Sequence, residues 1–324
     1  MEENSTQVHV FLLLGFPALE DLHVLFSIVF LLTYILIVLE NVVIIALIKT
    51  NCELYKPMYF FLGQLSFIEI CYISVTIPKF LANFVAEDRS ISFVGCMTQL
   101  FFFSSFICTE CVLLSAMAYD RYVAICQPLH YLVMMTYQMC IYLVVVSWFS
   151  GFTVSLIKIS FISQLKFCGP HVINHFFCDI SPILNLACTD TSLAEIVDFV
   201  LALFILLLSL FITIVSYQII MITILHIPNN QSKKKVFSTC SSHLTVVTIF
   251  FSATLFMYAR PKKIDPFDLN KFVSAVYTIV TPSLNPFIYC LRNQEVKRAL
   301  KKALCGKIGI SKVSRTIPSL QIQG

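Results

Sequence analysis

Seven continuously apolar stretches run through this chain, at about residues 22–48, 58–85, 93–120, 139–161, 196–226, 236–259 and 270–291. Each can cross roughly 30 Å of hydrocarbon as a helix, which takes about 20 residues. A membrane β-barrel would show short alternating segments instead, and a helix satisfies its own backbone groups, as lipid requires. Charged residues make up 12% of the 324 and hydrophobic ones 58%, against about 25% charged in a soluble domain. That charge is too sparse to coat a water-facing surface. The chain reads as an all-α membrane protein: an N-terminal segment (1–21), a seven-helix transmembrane domain (22–291) and a tail (292–324).

Orientation follows from the basic residues. With the N-terminus outside, inner loops and tail hold 14 of the 22 Lys and Arg and outer loops five; Lys79, Lys158 and Lys271 fall in or at the ends of spans. Basic residues favour the cytosolic side, so the tail is expected inside. Asn4-Ser5-Thr6 is a glycosylation sequon usable only on the outer face, whereas the sequon at Asn230 falls in the cytosol and should stay bare. The N-terminus, with Glu2 and Glu3, lacks the basic region of a cleaved signal peptide, so the first span is expected to act as an uncleaved anchor. The plasma membrane is the default destination.

Cys96, Cys168, Cys178 and Cys188 fall on or near the outer face, where disulfides persist, and four cysteines allow three pairings. In the tail, Val296, Leu300 and Leu304 form one stripe of a helix, with Lys297, Arg298, Lys301 and Lys302 opposite. This pattern predicts a short amphipathic helix on the anionic inner leaflet, with a palmitoylation candidate at Cys305.

Charges inside a bilayer are costly and usually face the bundle interior. Here they are Glu40, Glu69, Glu110, Lys158 and Asp198. They do not line a continuous path, which argues against a channel or pump, and the absence of internal repeats argues against many transporters. The seventh span has no deep lysine for a retinal Schiff base. No nucleophile–base pair or metal-ligand spacing suggests an enzyme, and the dispersed basic residues suggest no nucleic-acid partner. Glu69 and Glu110, with Asn41 and Asn285, are expected to form a buried polar cluster that holds a sodium ion or shares a proton; hydrogen-bonded helix packing is the structural alternative. At the inner end of the third span, Asp120-Arg121-Tyr122 suits a switch in which Arg121 pairs with Asp120 in one state and is released to a partner in the other.

Four motifs fall in order along the chain: "KPMYFFLGQLSF" entering the second span, "MAYDRYVAICQPLHY" leaving the third, "KKKVFSTCSSHLTVV" entering the sixth and "TPSLNPFIYCLRN" closing the seventh. From about Phe16 to Leu304 the chain resembles the olfactory receptors, within the rhodopsin-like G-protein-coupled receptors. "LENVVII" and "LACTDTS" resemble their family 6. The resemblance implies a receptor for small volatile odorants that activates a stimulatory G protein and raises cyclic AMP, with membrane lipid and trafficking chaperones as further partners. It implies bridges Cys96–Cys178 and Cys168–Cys188, and a switch of Asp120, Arg121 and Tyr122 completed by Tyr217 and by Asn285, Pro286 and Tyr289. Glu40 stands where the family usually has Gly, and Glu69 where Asp is commoner. No cofactor is expected beyond a bound sodium ion.

A pocket for a neutral odorant should be mostly apolar, with one or two polar groups. Phe103, Ser104, Ile107 and Cys108 supply that chemistry on the third span, and Phe251, Leu255 and Tyr258 recur along one side of the sixth. Lys158 is expected to snorkel to the headgroups; the alternatives are approach to Asp198 or contact with an acidic or carbonyl odorant. His171, His175 and Cys178 do not read as a metal site, because a bridged cysteine cannot ligate as thiolate.

Overall fold

The computed structural model describes residues 9–15, 23–85, 89–168, 171–258, 271, 274–275, 278–279, 281–285, 288 and 295–302. Asn4, Leu304, Cys305, Pro286, Tyr289 and the Tyr258 side chain lie outside the described residues.

The helices are α1 (His23–Thr50), α2 (Pro57–Val85), α3 (Phe93–Cys126), short α4 (Tyr131–Met134), α5 (Tyr137–Ile162), short α6 (Ile180–Leu184), α7 (Ser192–Leu225) and α8 (Asn230–Tyr258). Of these, α1, α2, α3, α5 and α7 are long and apolar enough to cross a membrane, and α8 carries a shorter apolar run, Cys240–Phe256. The described residues from 271 to 288 are helical, as are 295–302. Local chemistry sets several starts. Ser92 caps α3 by accepting from the Gly95 amide at 3.1 Å, and Thr136 caps α5 through the Met139 amide at 3.2 Å, each satisfying a donor the first turn leaves open. Pro57 opens α2 where no amide is needed.

The α3 span is 78% buried against 22% for α1, which makes α3 the central column and leaves α1 largely to lipid. Small residues bring α5 against it. A Cβ on Gly151 would strike Thr109 Oγ1 and come within 2.6 Å of the Ser105 carbonyl, the close approach that small residues permit between membrane helices. The helix also outruns the predicted third span, continuing past Asp120 to Cys126, so the Asp120-Arg121 pair sits within a helix.

One expectation changes. Lys158 does not snorkel: its side chain is fully buried and its Nζ lies 2.8 Å from Asp198 Oδ1, because the neighbouring helix supplies a countercharge and the ammonium need not reach water. Beside the helical bundle stands a small sheet, β1 (Val10–Leu13), β2 (Ser90–Ser92) and β3 (Val172–Ile173), in the order β2-β1-β3. Strand β1 pairs antiparallel with β2, Val10 opposite Ser92, and parallel with β3, Leu12 opposite Val172.

Candidate functional site

The sheet belongs to a lid built on the ends of α3 and α5. Phe11 and Leu13 are buried beneath it, and Phe11 meets Phe167 edge-on at 5.6 Å. Two disulfides fasten the lid: Cys96–Cys178, with Cα atoms 5.5 Å apart, and Cys168–Cys188, at 5.7 Å. Buried Gln99 adds a polar tie, accepting from the Cys178 amide at 2.9 Å and donating to the Val75 carbonyl at 2.9 Å. His175 lies buried in the lid between Phe176 and Phe177, ring centroids 4.7 and 4.5 Å away. Burial, and then the charge of Lys271, push its imidazole down to about 3, so it is neutral at physiological pH.

Beneath the lid, Phe177 reaches the bundle and packs on Phe103 at 4.6 Å, while Tyr72 stacks on the same ring at 5.1 Å. The adjacent Ser104 and, one turn beyond it, Cys108 are buried, and Cys108 lies within electrostatic reach of both Lys158 and Asp198. A hydroxyl, a thiol and one ion pair therefore gather at Ser104 and Cys108 of α3, and the aromatic group of Phe103 begins at the residue before. Ile107 is partly buried against the core. Phe251 is buried, with Phe250 edge-on at 5.6 Å. Leu255 is 44% exposed and, with Phe251, lines a cleft between α7 and α8.

Deeper in the bundle, Asn285 donates to Glu69 Oε1, and Asn41 donates to the Ile37 carbonyl at 3.1 Å. Glu110 faces both Glu69 and Asn285. All four residues are at most 4% exposed. Three acceptors, Asn41 Oδ1, Glu69 Oε2 and Glu110 Oε1, are buried without a hydrogen-bond partner among the described residues. Two carboxyls in one dry cluster need a proton or a cation between them, and hard oxygen donors suit a small hard cation.

At the inner end of α3, Arg121 pairs with Asp120, its Nε 3.1 Å from Oδ2. Tyr131 of α4 donates to Asp120 Oδ1 at 2.9 Å. Burial and the adjacent Asp120 charge hold the Tyr131 phenol well above its ordinary value, so it remains a donor. Tyr122 accepts from Gln127 Nε2 at 3.1 Å. Tyr217 of α7 and His243 of α8 share a buried hydrogen bond of 2.6 Å, and both lie within electrostatic reach of Arg121. Residues 295–302 pack below: Val296 and Ala299 are buried, Lys297, Arg298, Lys301 and Lys302 are exposed, and Glu295 accepts from Lys56 at 2.8 Å and Tyr59 at 2.7 Å. Burial raises the Glu295 carboxyl, but those hydrogen bonds and the Lys56 charge leave it below its ordinary value.

The olfactory receptor family model matches residues 30–307. The chain belongs to the olfactory receptor family. It is 61% identical over 300 residues to human olfactory receptor 6B1, covering 93% of this chain and 96% of that one. It is 55% identical to mouse olfactory receptor 6B9 over 304 residues (94% and 96%) and 54% identical to rat olfactory receptor 226 over 305 (93% of each).

This olfactory receptor is thus a seven-helix, multi-pass plasma-membrane protein of the G-protein-coupled class, with odorants as ligands and no enzymatic role. Its structure brings Ser104 and Cys108 together with Lys158 and Asp198, sets Phe103 against Tyr72 and Phe177, and unites Asn41, Glu69, Glu110 and Asn285. Tyr131 and His243 were missed in the sequence. Both stand inside quoted motifs, the "LHY" ending of one and the "SSH" stretch of the other, and a histidine within an apolar span is the available signal. The β1 strand gave a weaker sign, an alternation of exposed and buried apolar residues only four long.

Proposed function

We propose that a small, mostly neutral volatile molecule binds beside Phe103, Ser104 and Cys108 of α3, near the Lys158–Asp198 pair, and that binding leads the receptor to activate a stimulatory G protein and raise cyclic AMP. The observation that carries this reading is the continuity of α3. One helix holds Ser104 at the ligand side and Arg121 at the inner end, 17 residues or about 26 Å apart at 1.5 Å per residue. A ligand that favours one setting of α3 therefore biases the Asp120–Arg121 pair, in the manner of any differential binder. In the paired state Asp120 holds Arg121; in the other, Arg121 is released to the G protein, with Tyr217, His243 and the Asn285–Tyr289 segment taking part.

The N-terminus is outside, with Asn4 glycosylated, and the tail is cytosolic, where the exposed basic side of 295–302 meets anionic lipid. Trafficking chaperones bring the chain to the surface. The Asn41, Glu69 and Glu110 oxygens would hold a sodium ion, which when bound supplies positive charge to the two carboxylates. Lys158, already paired, offers a carbonyl-bearing odorant a donor without an uncompensated charge.

The test is a cyclic AMP response to an odorant panel in cells supplying an olfactory-type G protein and a trafficking chaperone. Wild type should respond to a subset of odorants, and Arg121→Ala should be silent at measurable surface expression. Full signalling by a well-expressed Arg121→Ala receptor overturns the switch. Lys158→Met should reorder odorant potencies, and an unchanged ranking removes Lys158 from the ligand site.

A further inference from the structure

On the lipid-facing side of the bundle, α7 and α8 diverge around a cleft of about 700 Å³. It runs from Leu210 to Ile222 on α7, 12 residues or about 18 Å of helix, opposite Leu244 to Leu255 on α8. Both stretches lie within apolar segments of the membrane domain, so what reaches the cleft arrives dissolved in the bilayer. None of its lining residues among those described is charged. Its hydroxyls are already used: Thr213, Thr248 and Ser252 donate to carbonyls of their own helices at 2.8, 2.7 and 3.1 Å.

Gln218 differs. It is exposed to the cleft, its carboxamide makes no hydrogen bond to any described residue, and it lies seven residues, about 10 Å, from the inner end of α7. A bare amide in an apolar medium costs several kcal/mol, so a compatible occupant brings a hydrogen-bonding group to that point and apolar surface above it. An acyl chain has no use for the amide, and a phospholipid head would set charge against an uncharged wall. A rigid apolar body with one hydroxyl meets both demands.

We propose that the α7–α8 cleft is a sterol site, with the sterol hydroxyl on Gln218 and the ring system against the apolar wall toward Phe251 and Leu255. Tyr217 lines the same cleft and is bonded to His243 of α8. A sterol seated there stabilises the present α7–α8 spacing, in which Asp120 holds Arg121, and so opposes signalling. This last step rests on the reading of Arg121 given above; the site itself does not.

The test uses the full-length receptor in phosphatidylcholine vesicles with photoreactive cholesterol as probe, read without odorant or G protein. Crosslinks should fall within 210–222 and 244–255 and be competed by cholesterol but not by added phosphatidylcholine. Gln218→Leu should weaken that competition about fivefold, the worth of one hydrogen bond. Ser252→Phe and Thr248→Phe each fill the cleft from an exposed position and should remove the labelling, with Ser252→Ala retaining it. Labelling spread over all lipid faces, indifferent to the filled variants, or equally competed by phosphatidylcholine overturns the site. In cells, cholesterol loading should depress the odorant response of wild type and not of Ser252→Phe. Intact labelling with no such depression overturns the coupling alone, and a silent Arg121→Ala with no labelling overturns the site while leaving the signalling reading in place.

Discussion

Tyr131 donates its hydroxyl to Asp120 Oδ1 at 2.9 Å from the inner loop that follows α3. Arg121 takes the other oxygen, Oδ2, so the carboxylate is gripped from both sides. Tyr131 thereby orients Asp120 for the ion pair. Tyr131→Phe should loosen the pair and raise basal cyclic AMP up to about fivefold, one hydrogen bond being worth about 1 kcal/mol. Basal signalling in matched-expression cells measures it; an unchanged baseline removes Tyr131 from the switch.

Gly151 should be intolerant of any side chain. Its Cβ position collides with Thr109 and the Ser105 carbonyl, and overpacking costs about 1–3 kcal/mol. Gly151→Ala should lower the thermal midpoint of the purified receptor by several degrees. Gly63→Ala, whose Cβ would rest 3.7 Å from Ile48 Cδ1, should leave it in place.

Acid should weaken the lid through His175. Its imidazole is neutral in the fold down to about 3, whereas in the unfolded chain it protonates near 6.5. The folded value is depressed, so the unfolded state binds the extra proton. The contribution is complete above about pH 6.5 and is lost as pH falls toward about 3, at about 1.4 kcal/mol per pH unit in that window. Thermal midpoints between pH 7.5 and 5 should fall more steeply for wild type than for His175→Gln; parallel slopes would exclude the mechanism.

Sodium, compared with choline at equal ionic strength, should raise the thermal midpoint of the wild-type receptor, as a ligand binding only the folded state must. Glu110→Gln should abolish that increment by removing one of the charged oxygens around the Asn41–Glu69–Asn285 cluster. A wild type indifferent to sodium assigns the cluster a shared proton instead.

Much of this was legible in one dimension. A span is recognised by apolar length, and the five helices from α1 to α7 that can cross a membrane begin and end within a few residues of the predicted runs, apart from α3. There the Asp120-Arg121 pair looked like a boundary, yet the helix continues, because Asp120 and Arg121 neutralise each other locally. Ser104 and Cys108, four residues apart, share a helical face by spacing alone, as do Phe103 and Ile107. Leu255 followed the same periodicity on α8 and faces the α7–α8 cleft, since periodicity fixes which residues share a face and not which way that face turns.

The sequence by itself determined that the chain crosses lipid as helices, where the polar residues fall along them, and which signature closes the third. Only the tertiary structure decided who meets whom: Lys158 with Asp198, Tyr217 with His243, Tyr131 with Asp120, and the N-terminal strand with two distant loops. The physical reason is the range of the forces. Apolar length and helical period act between neighbours in the chain, whereas a buried charge or hydroxyl is satisfied by whichever group the packed helices bring within about 3 Å.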